Sequence, residues 1–140
     1  DFCKAVDLRL QVAVSDEFVR DDNFLPTGKT ANGRLRDIEL NSGDYNPLSG
    51  HLSAFYKAEG DSIKLFDRTD LSGIIYEFDE HFAYRMLYRG KDDCFAALEP
   101  QTCATDCFHY DIDPFNLGLI ALNGKDSITF RTKIGFITTK

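Results

Sequence analysis

Between residues 5 and 14 the chain alternates without a break. Val6, Leu8, Leu10, Val12 and Val14 take one side; Ala5, Asp7, Arg9, Gln11 and Ala13 take the other. Strict period two places one row of side chains against a core and the other toward water, the pattern of a half-buried β-strand. No window shows the i, i+3, i+4, i+7 apolar spacing of an amphipathic helix, so the chain reads as all-β.

The same period recurs. Residues 34–40 read as a weaker strand whose alternation slips between Leu35 and Ile38, as at a bulge. Residues 52–57 and 61–66 read as strands joined through Ala58-Glu59-Gly60. Residues 73–79 align Ile74, Tyr76 and Phe78 on one face, and residues 82–88 align Phe82, Tyr84, Met86 and Tyr88. A short strand or helical turn is expected at 95–98, and further strands at 108–112, 117–122, 126–132 and 134–139. Asn123-Gly124 between two of these is a strong hairpin signal, because both residues tolerate positive φ. About ten short strands with turns between them predict an antiparallel β-sandwich, with a β-trefoil or small β-barrel as alternatives. Residues 52–66 and 117–131 align weakly without gaps, as two related halves would. At 140 residues the chain reads as a single β domain, residues 1–140.

Four cysteines, Cys3, Cys94, Cys103 and Cys107, stand in a chain beginning Asp1-Phe2-Cys3. An even number in a small chain with this start predicts two disulfides, a processed N-terminus and a secreted, extracellular protein. Three pairings are open; a bond from Cys3 would close a loop of roughly 90 residues or more, leaving the second within 94–107. Zinc is disfavoured, because no two cysteines have the two-residue spacing common in tetrahedral sites.

Charge narrows the partners. With 16 basic against 23 acidic residues, and the basic ones scattered, nothing matches a phosphate backbone or an anionic membrane. No apolar run approaches the roughly 20 residues that span a bilayer.

Chemistry is sparse. His51, His81 and His109 fall in no recognised catalytic frame, and no catalytic residue is assigned. Acidic groups on extracellular loops can hold calcium, and Asp106, Asp111 and Asp113 are the candidate set beside Asp16, Glu17, Asp21 and Asp22; no other cofactor is expected. The aromatic strands read chiefly as core, and any face left open would offer Tyr76, Tyr84 and Tyr88 to a sugar ring or a protein.

The segment Phe55-Tyr56 through Asp67-Arg68, followed by Ser72-Gly73, together with the early cysteine, resembles the small secreted β proteins of filamentous fungi, phialide-type cell-wall proteins and effectors. That resemblance implies a surface or host-interaction role. The expectation is a secreted non-enzymatic binding or structural protein that engages cell-wall polysaccharide or an extracellular protein through loops 15–33, 41–51 and 89–107. A polysaccharide hydrolase using Glu77 and Asp79 is one alternative, and a self-associating structural protein another.

Overall fold

A computed structural model describes residues 7–90 and 95–138. The antiparallel all-β expectation holds. Seven strands form one branched sheet: β1 (Leu8–Arg20), β2 (Pro26–Ala31), β3 (Leu52–Asp67), β4 (Gly73–Phe78), β5 (Tyr84–Arg89), β6 (Ala97–Gln101) and β7 (Thr132–Ile137), with one helix, α1 (Leu35–Ser42), between β2 and β3. The strand order is β2-β1-β3-β4-β7, and β5 branches from β3 to carry β6. The ends of that order are different strands, so among the described residues the sheet is open, unlike a barrel.

The branch follows from the length of β3. The stretches expected as two strands are one 16-residue strand whose register against β1 shifts between Val12 and Glu17. Its first half, Leu52 to Lys57, pairs with β5, and its second half, Ser62 to Phe66, pairs with β4.

One face of the sheet holds the main core. Leu10, Val12 and Val14 of β1, Leu52, Ala54, Tyr56 and Ile63 of β3, and Leu87 of β5 are all buried there. Helix α1 packs over β1 with Leu40 pointing inward. Its N-terminus is closed by Asp37, whose carboxylate accepts the Arg34 N–H, and its C-terminus by Gly43 in the left-handed conformation at φ 83°. Beneath it a polar network is fully engaged: Glu17 pairs with Arg34 and Arg36, and the Tyr56 hydroxyl donates to Asp37 at 2.7 Å. Burial, and then the bond to Asp37, push the Tyr56 hydroxyl well above the ordinary tyrosine range.

Several local expectations are corrected. Residues 34–40 are not a bulged strand but most of α1; the buried positions are Asp37 and Leu40, while Leu35 and Ile38 face solvent. The polar stretch 15–33 is not a loop but the end of β1, a turn, and edge strand β2. In that turn the Asp21 carboxylate accepts from the backbone of Asn23 and Leu25. Residues 108–112 form no strand. Residues 114–117 make a 3-10 turn capped by Asp113, and 119–131, with a turn at 124–125, join no strand ladder, so the resemblance of 117–131 to 52–66 is not a structural repeat. Among the described residues seven strands form, so the count of about ten is not confirmed.

The disulfide framework is not seen. Cys103 and Cys107 are free thiols, and Cys3 and Cys94 lie outside the described residues. Burial, then the neighbouring Cys103, raise the Cys107 thiol above its usual value.

Candidate functional site

The second face of the sheet is only half covered. At one end Phe18, Phe55 and Tyr84 form an aromatic cluster, with ring centroids 5.2–5.8 Å apart, beneath the segment that carries Ala104, Cys107 and Leu117. Gly118 fixes that cover: it sits at φ 84°, and a Cβ there would fall 2.3 Å from the Thr102 carbonyl oxygen. The cover stops at Tyr84. Farther along the same strands the face is open among the described residues.

Register assembles the open part. Ser53 of β3 stands opposite Tyr88 of β5, which stands opposite Ala97 of β6; Phe55, Met86 and Glu99 form the next row. Period two puts all six on one face. From β1, Arg20 reaches over this face and donates through Nη2 to the Ser53 carbonyl at 2.6 Å and hydroxyl at 3.0 Å, with Nη1 4.0 Å from the Met86 sulfur. The Arg20 guanidinium also lies 5.8 Å from the centre of the Phe24 ring. His51 sits at the start of β3 with its ring 6.0 Å from Tyr88, edge to face. Tyr88 is 37% exposed and neighbours the exposed Phe95.

Glu99 is exposed on this face and makes no hydrogen bond or ion pair among the described residues. Directly across from it is Met86, and Arg20 approaches Met86 from the far side. The face thus joins a planar cation, an imidazole, a carboxylate and accessible aromatic edges, with Arg20 held by Ser53, Met86 and the Phe24 ring. Such a surface can stack against an apolar ring face and hydrogen-bond hydroxyls around its rim.

The residues expected from sequence divide. Tyr88 lies at the open face; Tyr84 is 5% exposed in the aromatic cluster; Tyr76 points to the main core on the opposite face, edge-on to Phe78. Asp106 pairs with His109, Asp113 caps the 3-10 turn by accepting from Phe115 N–H at 3.0 Å, and Asp111 is exposed. Asp106 and Asp113 thus serve separate local turns. The acidic and histidine side chains that converge, among the described residues, are instead Asp79, Glu80 and His81. Glu77 pairs with Lys133 at 2.9 Å, and Asp79 accepts from the Arg131 N–H at 2.6 Å and contacts His81 at 3.0 Å, so both acids proposed for hydrolysis are already engaged. The sequence reading passed over Glu99, Arg20 and His51 as a group. The usable signal was alternation on β6, where Leu98 faces the core and Glu99 must therefore share a face with Met86 and Tyr88.

No protein-family model and no curated protein matches this sequence. Its structure is similar to the crystal structure of a galactose mutarotase-like protein from Clostridium acetobutylicum, with a TM-score of 0.86 at 16% identity over 94% of this chain and 42% of that one. The chain therefore shares the β fold of the matched part of that neighbour and spans less than half of its length.

Proposed function

We propose that the open face formed by Arg20, His51, Met86, Tyr88 and Glu99 binds a carbohydrate. The observation that carries this reading is Glu99, a carboxylate with no partner in the described structure, set on the face where Tyr88 is accessible and Arg20 is immobilised. A pyranose offers two kinds of surface, C–H faces that pack on aromatic rings and hydroxyls that charged planar groups bind. Tyr88 and Phe95 meet the first; Glu99, His51 and Arg20 meet the second.

The neighbour's mutarotase-like character supports a monosaccharide with a free anomeric hydroxyl as the ligand. Interconverting anomers requires a base for the anomeric hydroxyl and an acid for the ring oxygen. Glu99 and His51 are the carboxylate and imidazole that this face supplies for those tasks. Wall polysaccharide, a ligand expected from sequence, presents the same ring faces and hydroxyls but a free anomeric hydroxyl only at its reducing end.

Calorimetric titration with galactose and glucose, alongside a pull-down on chitin, β-glucan and cellulose, tests the reading. Saturable heat with a monosaccharide, reduced at least tenfold in affinity by Tyr88→Ala and by Glu99→Gln, is the expected result. Polarimetry on the same samples reports anomer exchange. No saturable binding to any sugar or polymer by the folded protein overturns the proposal.

A further inference from the structure

On the core side of the sheet two rows of apolar side chains run across four strands. One passes from Leu10 of β1 through Leu65 of β3 and Ile74 of β4 to Phe136 of β7; the other from Val12 through Ile63 and Tyr76 to Ile134. Each row begins buried and ends bare. Leu10 and Val12 are 0% and 1% exposed, whereas Phe136 and Ile134 are 85% and 69% exposed. The cause is the reach of α1, which covers β1 and stops short of β4 and β7. The core is thus continuous with an apolar strip that no layer covers among the described residues.

The segment before β7 shows the same incompleteness. Residues 117–122 and 126–132 read from the sequence as strands, and the turn between them forms, with Asp126 N–H donating to the Asn123 carbonyl at 3.1 Å. Yet 119–131 join no ladder, and Ile120, Leu122 and Phe130 are 37–52% exposed. Beyond it, β7 pairs only with β4, leaving its other edge free of a strand among the described residues. Exposed apolar strips and long unpaired edges are liabilities that folded proteins cover.

We propose that the β4–β7 face and the 119–131 segment dock a second antiparallel β-layer of the same polypeptide, contributed by residues outside this chain. Three observations select that occupant over a second copy or a small ligand. The strip continues the chain's own core, as an intramolecular layer would meet it. The backbone of 119–131 joins no ladder among the described residues, so a β-layer beside it would pair groups that a small ligand leaves open. In the galactose mutarotase-like structure more than half of the chain lies beyond the match, length enough for such a layer. The strip lies on the sheet face opposite Glu99 and Tyr88, so this inference stands apart from the carbohydrate reading.

Hydrogen–deuterium exchange on this chain and on the complete polypeptide its gene encodes tests the proposal. Amides of 119–131 are expected to exchange at least 100-fold more slowly in the complete polypeptide. This chain alone should bind a fluorescent apolar dye, and the complete polypeptide should not. Phe136→Asp should lower the Tm of the complete polypeptide while leaving that of this chain unchanged. Equal exchange in both proteins, or an encoded polypeptide no longer than this chain, overturns it. So does sedimentation of this chain as a tight dimer that Phe136→Asp dissociates, because the occupant is then a second copy.

Discussion

Asn41 completes the backbone of Val14. Its side-chain oxygen accepts the Val14 N–H at 3.0 Å and its side-chain nitrogen donates to the Val14 carbonyl at 3.0 Å. Val14 stands opposite Ala58 of β3 between two register shifts, and the amide on α1 supplies hydrogen bonds to its backbone in addition. Replacing Asn41 with Ala leaves both backbone groups short of partners and is expected to cost about 1–3 kcal/mol, read by urea unfolding. An unchanged midpoint would show that water serves equally well there.

This relationship also shows what the sequence could disclose. The alternation at 8–14 was readable because each inward residue is apolar and each outward one can stay wet. Helix α1 was hidden because its inward face offers Asp37 and Leu40 rather than an apolar stripe, and Asp37 is acceptable inside only through Tyr56 and the Arg34 backbone. The end of β1 looked like a loop because Glu17 faces inward, and its partners Arg34 and Arg36 arrive from another element. Tyr88 could be named from its alternation. Glu99 and Arg20 could not be joined to it, because their proximity depends on the branch at β3, which no local pattern announces.

Arg85 is 1% exposed and has no carboxylate partner among the described residues. It donates to the carbonyls of Gly60, Phe82 and Tyr84 at 2.6–2.7 Å and lies 3.7 Å from the centre of the Phe78 ring. Burial pulls its pKa down to about 10, against weaker support from Asp61. Arg85→Met keeps the packing on Phe78 and strips three carbonyls of their donor, a loss of about 2–3 kcal/mol; Arg85→Ala adds a cavity and should cost more. Differential scanning calorimetry of the two variants checks the order, and equal stability of both with the parent would rule out the guanidinium as a clamp.

Asp79 sets an acid limit. Burial opposes ionisation, but the Arg131 N–H and the ring and backbone of His81 outweigh it, so its carboxyl titrates below the ordinary 3.8. A carboxyl with a depressed folded pKa stabilises the fold above its unfolded pKa and stops doing so as pH falls through the folded value. The bond to Arg131 tethers the chain just before β7, so acid should loosen β7 from β4. Stability measured from pH 6 to pH 2 should fall less steeply in Asp79→Asn than in the parent; identical slopes would count against this role.

Gly73 opens β4 directly opposite Phe66, and a Cβ there would lie 2.2 Å from the Leu65 carbonyl oxygen and 2.6 Å from the Phe66 Cα. Backbone cannot yield as a flexible side chain does. Gly73→Ala should therefore displace the start of β4 and cost about 2 kcal/mol or more, in the range of other overpacking changes. Amide exchange across 73–78 should rise in the variant, and wild-type protection there would refute the clash.

The sixteen residues of β3 belong to three ladders at once, with β1 along one edge and with β4 and β5 sharing the other. Neither arm of the sheet can detach without breaking hydrogen bonds to the strand that anchors the other. Cooperative unfolding across β1, β3, β4 and β5 is the expected consequence, and the face that carries Arg20, Tyr88 and Glu99 rests on a strand whose other half lies among the core rows that run to β7.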